Sequence, residues 1–221
     1  ILNVYLKIRI SGGGRQMRIL IIRHGDPNYE LDTLTETGWK EAKLVAERLS
    51  RLDIRDFYVS PLGRAQDTAS CTLEKLGRTA QTLEWLREFA PQIKRPDVNG
   101  KRKITWDWLP QDMEQDRRYY EKDSWCTTEI MREAGVDREY AWVCEGLDEL
   151  LHRHGYDREG LHYRAVNANS DTIALFCHFG VECVLLSHLL NISPMPLWHG
   201  FCAAPTSVTS IYTEERRKGI A

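Results

Sequence analysis

The chain has 221 residues, 42% hydrophobic and 28% charged, with 30 basic against 32 acidic residues and a formal net charge of −2. That is the make-up of an ordinary globular chain, long enough for one domain with a full core or one core plus a large insertion. The balanced charge gives no reason to expect nucleic acid or an anionic membrane as partner, and no apolar run approaches the roughly 20 residues that span a bilayer.

The first residues lack the apolar region and small-residue cleavage site of a signal peptide. Cys71, Cys126, Cys144, Cys177, Cys183 and Cys202 form no CxxC pair and read as reduced core residues, not as a disulfide or zinc framework. A cytoplasmic location is therefore expected. Ser11-Gly12-Gly13-Gly14 reads as a linker and Met17 opens an apolar run, so residues 1–16 are expected to be a tag or N-terminal extension. The competing reading is a genuine edge strand from Val4 to Ile10.

From Met17 onward, short apolar runs alternate with helical patterns, which predicts an α/β fold with a largely parallel sheet. Strands are expected at Arg18–Ile22, Phe57–Val59, Thr172–Cys177 and Ser207–Tyr212. Between the first two, Ala42, Val45, Ala46 and Leu49 fall at helical spacing within Thr35–Leu52. Ser60-Pro61 looks like an N-cap followed by proline at the first helical position, opening a helix to about Leu76. A further helix is expected from Phe179 to Leu190.

Residues 90–165 differ in composition. They carry Pro91, Pro96 and Pro110, the basic stretch Lys101-Arg102-Lys103, and Trp106, Trp108, Trp125 and Trp142. Val136–His154 is expected to be helical, with Leu147, Leu150 and Leu151 on its apolar face. The block is expected to be a helical and loop insertion capping the active site of a single domain over 17–221. The tryptophans read first as core. Lys94, Arg95, Lys101, Arg102 and Lys103 read first as a solvated face, although such a cap would also suit a phosphorylated substrate with an apolar part. His152 and His154 resemble half a metal site without partner ligands at suitable spacing.

Three features follow predicted strands: Arg23-His24-Gly25, Ser60-Pro61-Leu62-Gly63-Arg64 and His178-Phe179-Gly180. Ligands of open α/β sheets bind beyond the carboxyl ends of the strands, so topology alone brings two His and two Arg to one crevice. Helices opening near Ser60 and Phe179 would add N-terminal N–H groups, which favour an anion. Phosphoryl transfer needs an in-line nucleophile, positive charge on the equatorial oxygens and an acid for the leaving oxygen. Arginine suits the oxygens because its planar fork donates two hydrogen bonds. A neutral imidazole can attack phosphorus, and Gly25 is expected to leave room for the phosphoryl group. No Cys lies in an Arg-rich loop and no GxSxG elbow is present, which argues against cysteine and serine nucleophiles.

Arg23-His24-Gly25 resembles the signature of the histidine phosphatase superfamily, which includes the cofactor-dependent phosphoglycerate mutases. Leu34-Thr35-Glu36-Thr37-Gly38 is similar to its "LTxxG" helix entry, and Ser60 through Ala69 to its "SPLxRAxxTA" motif. Leu86-Arg87-Glu88 resembles its "LxE" acid segment, and His178-Phe179-Gly180 its second histidine motif. The resemblance covers roughly residues 17–89 and 170–212 and implies a three-layer αβα sandwich.

It also implies His24 as the nucleophile, Arg23, Arg64 and His178 on the phosphoryl oxygens, and Glu88 as general acid and then base. Asn28 either touches the phosphate or is a turn residue. No metal and no cofactor are implied. The chain departs from the family at Asp26, where many relatives carry Glu, and at Pro27, where Thr or Ser is usual. Phe89-Ala90-Pro91-Gln92 lacks the "GxWEG" continuation, so Glu84 is the alternative acid.

The resemblance implies a metal-independent phosphomonoesterase acting through a phosphohistidine on a small phosphorylated metabolite. The alternatives are a phosphoglycerate mutase-type transfer and a catalytically inactive phosphate-binding module. Such mutases generally carry a longer loop than Asp26–Leu34. A homodimer is left open.

Overall fold

The computed structural model describes residues 15–215 and 219–221. Apart from Arg15 and Gln16, the expectations for an N-terminal extension, including a strand from Val4 to Ile10, fall outside the described residues. The chain divides into two compact units. One comprises residues up to Glu88 with Asp148–Phe179 and Ala203–Ala221; the other comprises Phe89–Leu147 and Gly180–Cys202. Residues 148–165 thus go with the first unit.

The first unit is built on a five-stranded sheet: β1 (Arg18–Arg23), β2 (Asp56–Val59), β3 (Gln81–Thr82), β4 (Thr172–Cys177) and β5 (Val208–Tyr212), in the order β5-β1-β4-β2-β3. Every pairing is parallel except β5 against β1. The predicted αβα architecture with a largely parallel sheet is therefore the observed one. All six residues of β4 are buried, as are Ile19, Leu20, Ile21 and Ile22 of β1. Burial on both faces is why these strands read as unbroken apolar runs and not as alternation.

Helices α1 (Glu36–Leu49) and α2 (Gly63–Leu76) follow β1 and β2. Val45 and Leu49 of α1 and Ala65 and Ala69 of α2 share one apolar cluster with Leu20, Ile22, Phe57, Val59, Ala174 and Phe176. Thr35 caps α1, its Oγ1 accepting the Gly38 N–H at 3.1 Å; a cap of this type contributes about 1 kcal/mol. Helix α2 differs from expectation. Its N-cap is Leu62, which makes no side-chain cap bond. The free N–H of Gly63 is bonded instead by the carboxylate of Asp32, at 2.7 Å, from the loop between β1 and α1.

Helix α3 (Val136–Arg153) has Leu147, Leu150 and Leu151 buried as spaced, and α4 (Phe179–Leu190) has the expected bounds. In the second unit Trp108, Trp125 and Trp198 are core, whereas Trp106 and Trp142 are only partly buried. Trp125 is fully buried, edge-on to Trp198 at 5.5 Å and to Tyr140 at 5.0 Å, and Phe89 stacks on Trp198 at 5.5 Å. Lys101, Arg102 and Lys103 are exposed. Arg95 is not part of that solvated face: it is 5% exposed and its guanidinium is paired with Asp97. Composition hides this, because two residues of opposite charge next to a proline look like surface. His152 bonds Asp157 at 2.6 Å and His154 bonds Tyr58 at 2.8 Å, so each histidine has its own partner.

Candidate active site

The register of the sheet places the site. Arg23 pairs with Cys177 and Val59 with Phe176, so β1, β4 and β2 end together. The His24 N–H donates to Cys177 O at 3.0 Å, and the Ser60 N–H to Phe176 O at 2.9 Å. The main chain thus anchors His24, His178 and Ser60 at one edge. The rings of His24 and His178 lie 5.0 Å apart, tilted by 56°.

His24 is 2% exposed, and its Nδ1 lies 2.7 Å from the carbonyl oxygen of Gly25. A carbonyl only accepts, so Nδ1 carries the proton and Nε2 keeps its lone pair. Burial pushes the His24 pKa down to about 4, and the positive charges of Arg64 and Arg23 act the same way, against the Gly25 bond and Asp32. The imidazole is therefore neutral at pH 7. Burial, then Arg64, His24 and Arg23, push His178 well below the ordinary histidine range.

A testable consequence is a pH dependence of stability. Between about 4 and the ordinary value of 6.5 the unfolded chain binds a proton at His24 that the folded chain does not. Stability therefore rises with pH through that window and is lost as pH falls. His24→Asn is expected to flatten this dependence by roughly 3 kcal/mol at most, read from urea unfolding at either end of the window. An unchanged slope would contradict the buried, neutral His24.

Gly25 is held by its N–H to Thr68 Oγ1 at 3.0 Å, and Thr68 in turn donates to Arg64 O at 2.7 Å. A Cβ at Gly25 would meet the carbonyl oxygen of Gly38 at 2.8 Å. The glycine thus lets α1 approach the loop, which corrects the expectation that its empty space faces the phosphoryl group. Asp26 is structural as well: its Oδ2 accepts from Thr35 Oγ1 at 2.6 Å, and its N–H donates to Glu41 at 2.8 Å.

Arg23 donates to Ala203 O and lies over the Phe179 ring at 5.6 Å. Arg64 is 9% exposed, with Nη1 2.5 Å from Asp32 Oδ1. Each arginine keeps a buried Nε without a hydrogen-bond partner, and His178 Nδ1 is in the same condition. Buried donors of this kind mark a place for an anion. His178 Nε2 lies 2.7 Å from Ser60 Oγ, which also accepts the Leu62 N–H at 3.2 Å.

The structure therefore brings together Arg23, His24, Arg64 and His178. Asn28 serves the turn, its Oδ1 accepting the Leu31 N–H at 3.2 Å. Glu84 is exposed and opens the turn Glu84–Leu86 that follows β3, and Glu88, two residues beyond that turn, is half-buried. Because β3 runs parallel to β2, this segment leaves the sheet at the same edge as Ser60. Asp32, Ser60 and Thr68 belong to the site but escape a reading by residue type. Ser60 and Thr68 lie inside the quoted motif, which is the signal that was available. Among the described residues, no group of three or more His, Cys, Asp or Glu is arranged to hold a metal ion, and no helix is long and apolar enough to cross a membrane.

The sequence profile of the histidine phosphatase superfamily (branch 1) matches residues 19–134, more than half of the chain. The chain belongs to the histidine phosphatase superfamily. A 2,3-bisphosphoglycerate-dependent phosphoglycerate mutase of Thermoplasma acidophilum is 34% identical over 80 residues, which is 32% of this chain and 40% of the mutase. The phosphoserine phosphatase of Entamoeba histolytica has a similar fold, with a TM-score of 0.56 at 17% identity over 93% of this chain and 94% of that one. A mycobacterial glucosyl-3-phosphoglycerate phosphatase complexed with VO3 also has a TM-score of 0.56, at 17% identity over 91% of this chain and 99% of that one. At 17% identity, these two solved structures show a shared fold.

Proposed function

We propose that this superfamily member is a metal-independent phosphomonoesterase that hydrolyses a small phosphorylated metabolite through a phosphohistidine at His24. The observation that carries this is the tautomer of His24: Nδ1 is bonded to Gly25 O at 2.7 Å in a ring kept neutral by burial and two arginines. That leaves Nε2 as a nucleophile needing no base.

Nε2 attacks phosphorus, the P–Nε2 bond forms and the bond to the leaving oxygen breaks. Arg23, Arg64 and His178 hold the three non-bridging oxygens as their charge rises. Ser60 Oγ, already accepting from Leu62, donates to His178 Nε2, which leaves the proton on Nδ1 for a phosphoryl oxygen. The Glu88 carboxylic acid gives its proton to the leaving alkoxide, and its carboxylate then takes one from water as the P–N bond breaks. Orthophosphate and an alcohol are the products.

A mutase-type transfer shares the first step and differs only in the acceptor; the similarity to the Thermoplasma mutase favours that reading. Water is preferred here because the segment after Gly25 is short and folds back on itself, Pro27–Asn28 pairing with Thr33–Leu34. The inactive-module reading is disfavoured because every charged group of the pocket is present. The six free cysteines suit a cytoplasmic setting.

Purified protein is expected to release orthophosphate from some of a panel of phosphoserine, phosphoglycerates and sugar phosphates. EDTA should leave the rate unchanged, and vanadate should inhibit as a mimic of pentacoordinate phosphorus. Activity lost to EDTA and restored by Mg²⁺ or Zn²⁺ would refute the metal-independent mechanism.

A further inference from the structure

The loop between β1 and α1 puts two side chains on the guanidinium of Arg64. Asp32 Oδ1 takes Nη1 at 2.5 Å while its Oδ2 takes the Gly63 N–H at 2.7 Å. The Tyr29 ring, on a residue 69% exposed, is centred 5.5 Å from the guanidinium carbon.

The backbone is shaped for this contact. Asp32 adopts a left-handed conformation, φ +48°, which a non-glycine residue holds at a cost. Its carbonyl oxygen comes so near α2 that a Cβ at Gly63 would sit 2.1 Å from it, so Gly63 is required there. The Thr33 hydroxyl donates to Asp67 and ties the next residue to the same helix. A carboxylate beside a phosphate pocket repels the ligand, so a position shaped so closely around one calls for an offsetting contribution. Burial acts to raise the Asp32 pKa, but the bonds from Gly63 and Arg64 hold it below the usual carboxylate range, so the group is charged at neutral pH.

The geometry of a guanidinium supplies that contribution. With Nη1 engaged, Nε and Nη2 remain as a side-on fork that matches two oxygens of a phosphate. The Nε of Arg64 is buried and without a partner, and the charge of Arg64 registers on both His24 and His178. We infer that Asp32 is a positioning residue, clamping Arg64 together with Tyr29 so that its Nε edge meets the phosphoryl group transferred at His24. The kinetic consequences rest on the phosphatase reading above; the clamp itself does not.

Two measurements test it. The Nε–H resonance of Arg64, identified by its loss in Arg64→Lys, should show an order parameter near that of a rigid backbone, roughly 0.85, and fall below about 0.6 in Asp32→Ala. With an alkyl phosphate, kcat/KM should fall about 10²-fold in Asp32→Ala, the scale of a group misplaced by an ångström. Asp32→Asn, which keeps one acceptor oxygen and replaces Asp32→Ala if that variant fails to fold, should move both readouts in the same direction and less far. In an Arg64→Ala background, removing Asp32 should lower kcat/KM no further, because, apart from the Gly63 N–H that it also accepts, Asp32 has nothing left to position.

An Arg64 side chain equally rigid without Asp32 would overturn the inference. So would losses that multiply in the double variant, or tighter orthophosphate binding by Asp32→Ala, which would make Asp32 a competing anion. A wild-type enzyme that hydrolyses no phosphomonoester would refute the proposed function, while the resonance of Arg64 would still decide the clamp.

Discussion

His24→Ala is expected to lower phosphomonoester turnover by roughly 10⁴–10⁶-fold, the range seen when a covalent nucleophile is removed. The effect is large because no other group can take the phosphoryl. His178 is the nearest imidazole, with its ring 5.0 Å away, but its Nε2 is bonded to Ser60. The fold should survive, since main-chain bonds to Cys177 and Ser207 hold residues 23 and 24 whatever the side chain. Arg23 and Arg64 also remain, so the variant should still bind orthophosphate. An unchanged circular dichroism spectrum with lost turnover is the expected pair of results. A variant turning over at the wild-type rate would exclude His24 as nucleophile.

Glu88→Gln carries the second large effect, and its size should depend on the leaving group. An alkoxide leaves only with a proton, so phosphoenzyme formation from an alkyl phosphate should slow by roughly 10²–10⁴-fold, the usual range for general acid–base catalysis. A nitrophenolate needs little protonation, so the same step from p-nitrophenyl phosphate should suffer much less. The first step must be isolated in single turnover, because the same carboxylate serves water attack in the second. Equal slowing for both esters would remove Glu88 from the role. Leaving-group dependence in Glu84→Gln would transfer the role to that residue. Burial separates the two in advance: Glu84, which opens the 3-10 turn Glu84–Leu86, is exposed, and Glu88, two residues beyond that turn, is half-buried.

The elements that carry His24 and His178 were legible because strands buried on both faces leave unbroken apolar runs, and the two histidines come directly after them. Thr172–Cys177 and Phe179–Leu190 have the bounds that the pattern predicts. What escaped depends on contacts distant in sequence. Ser60-Pro61 imitates a helix cap, yet α2 is capped by Asp32 from another loop while Ser60 turns to His178. The role of Gly25 is set by the backbone of Gly38 and not by the ligand. The composition of the middle segment marked a distinct region, but the second unit also takes in Gly180–Cys202, whose Trp198 completes the aromatic cluster of Trp125 and Phe89.

The most direct test of the covalent mechanism is the chemical identity of the trapped intermediate. Enzyme mixed with a ³²P-labelled phosphomonoester, quenched within a turnover and digested under alkaline conditions, should yield one labelled peptide with the phosphoryl group on Nε2 of His24. The label should be stable to base and labile to acid, and absent from His24→Ala treated identically. Turnover without any protein-bound label, or label on a residue other than His24, would contradict a phosphohistidine at this position.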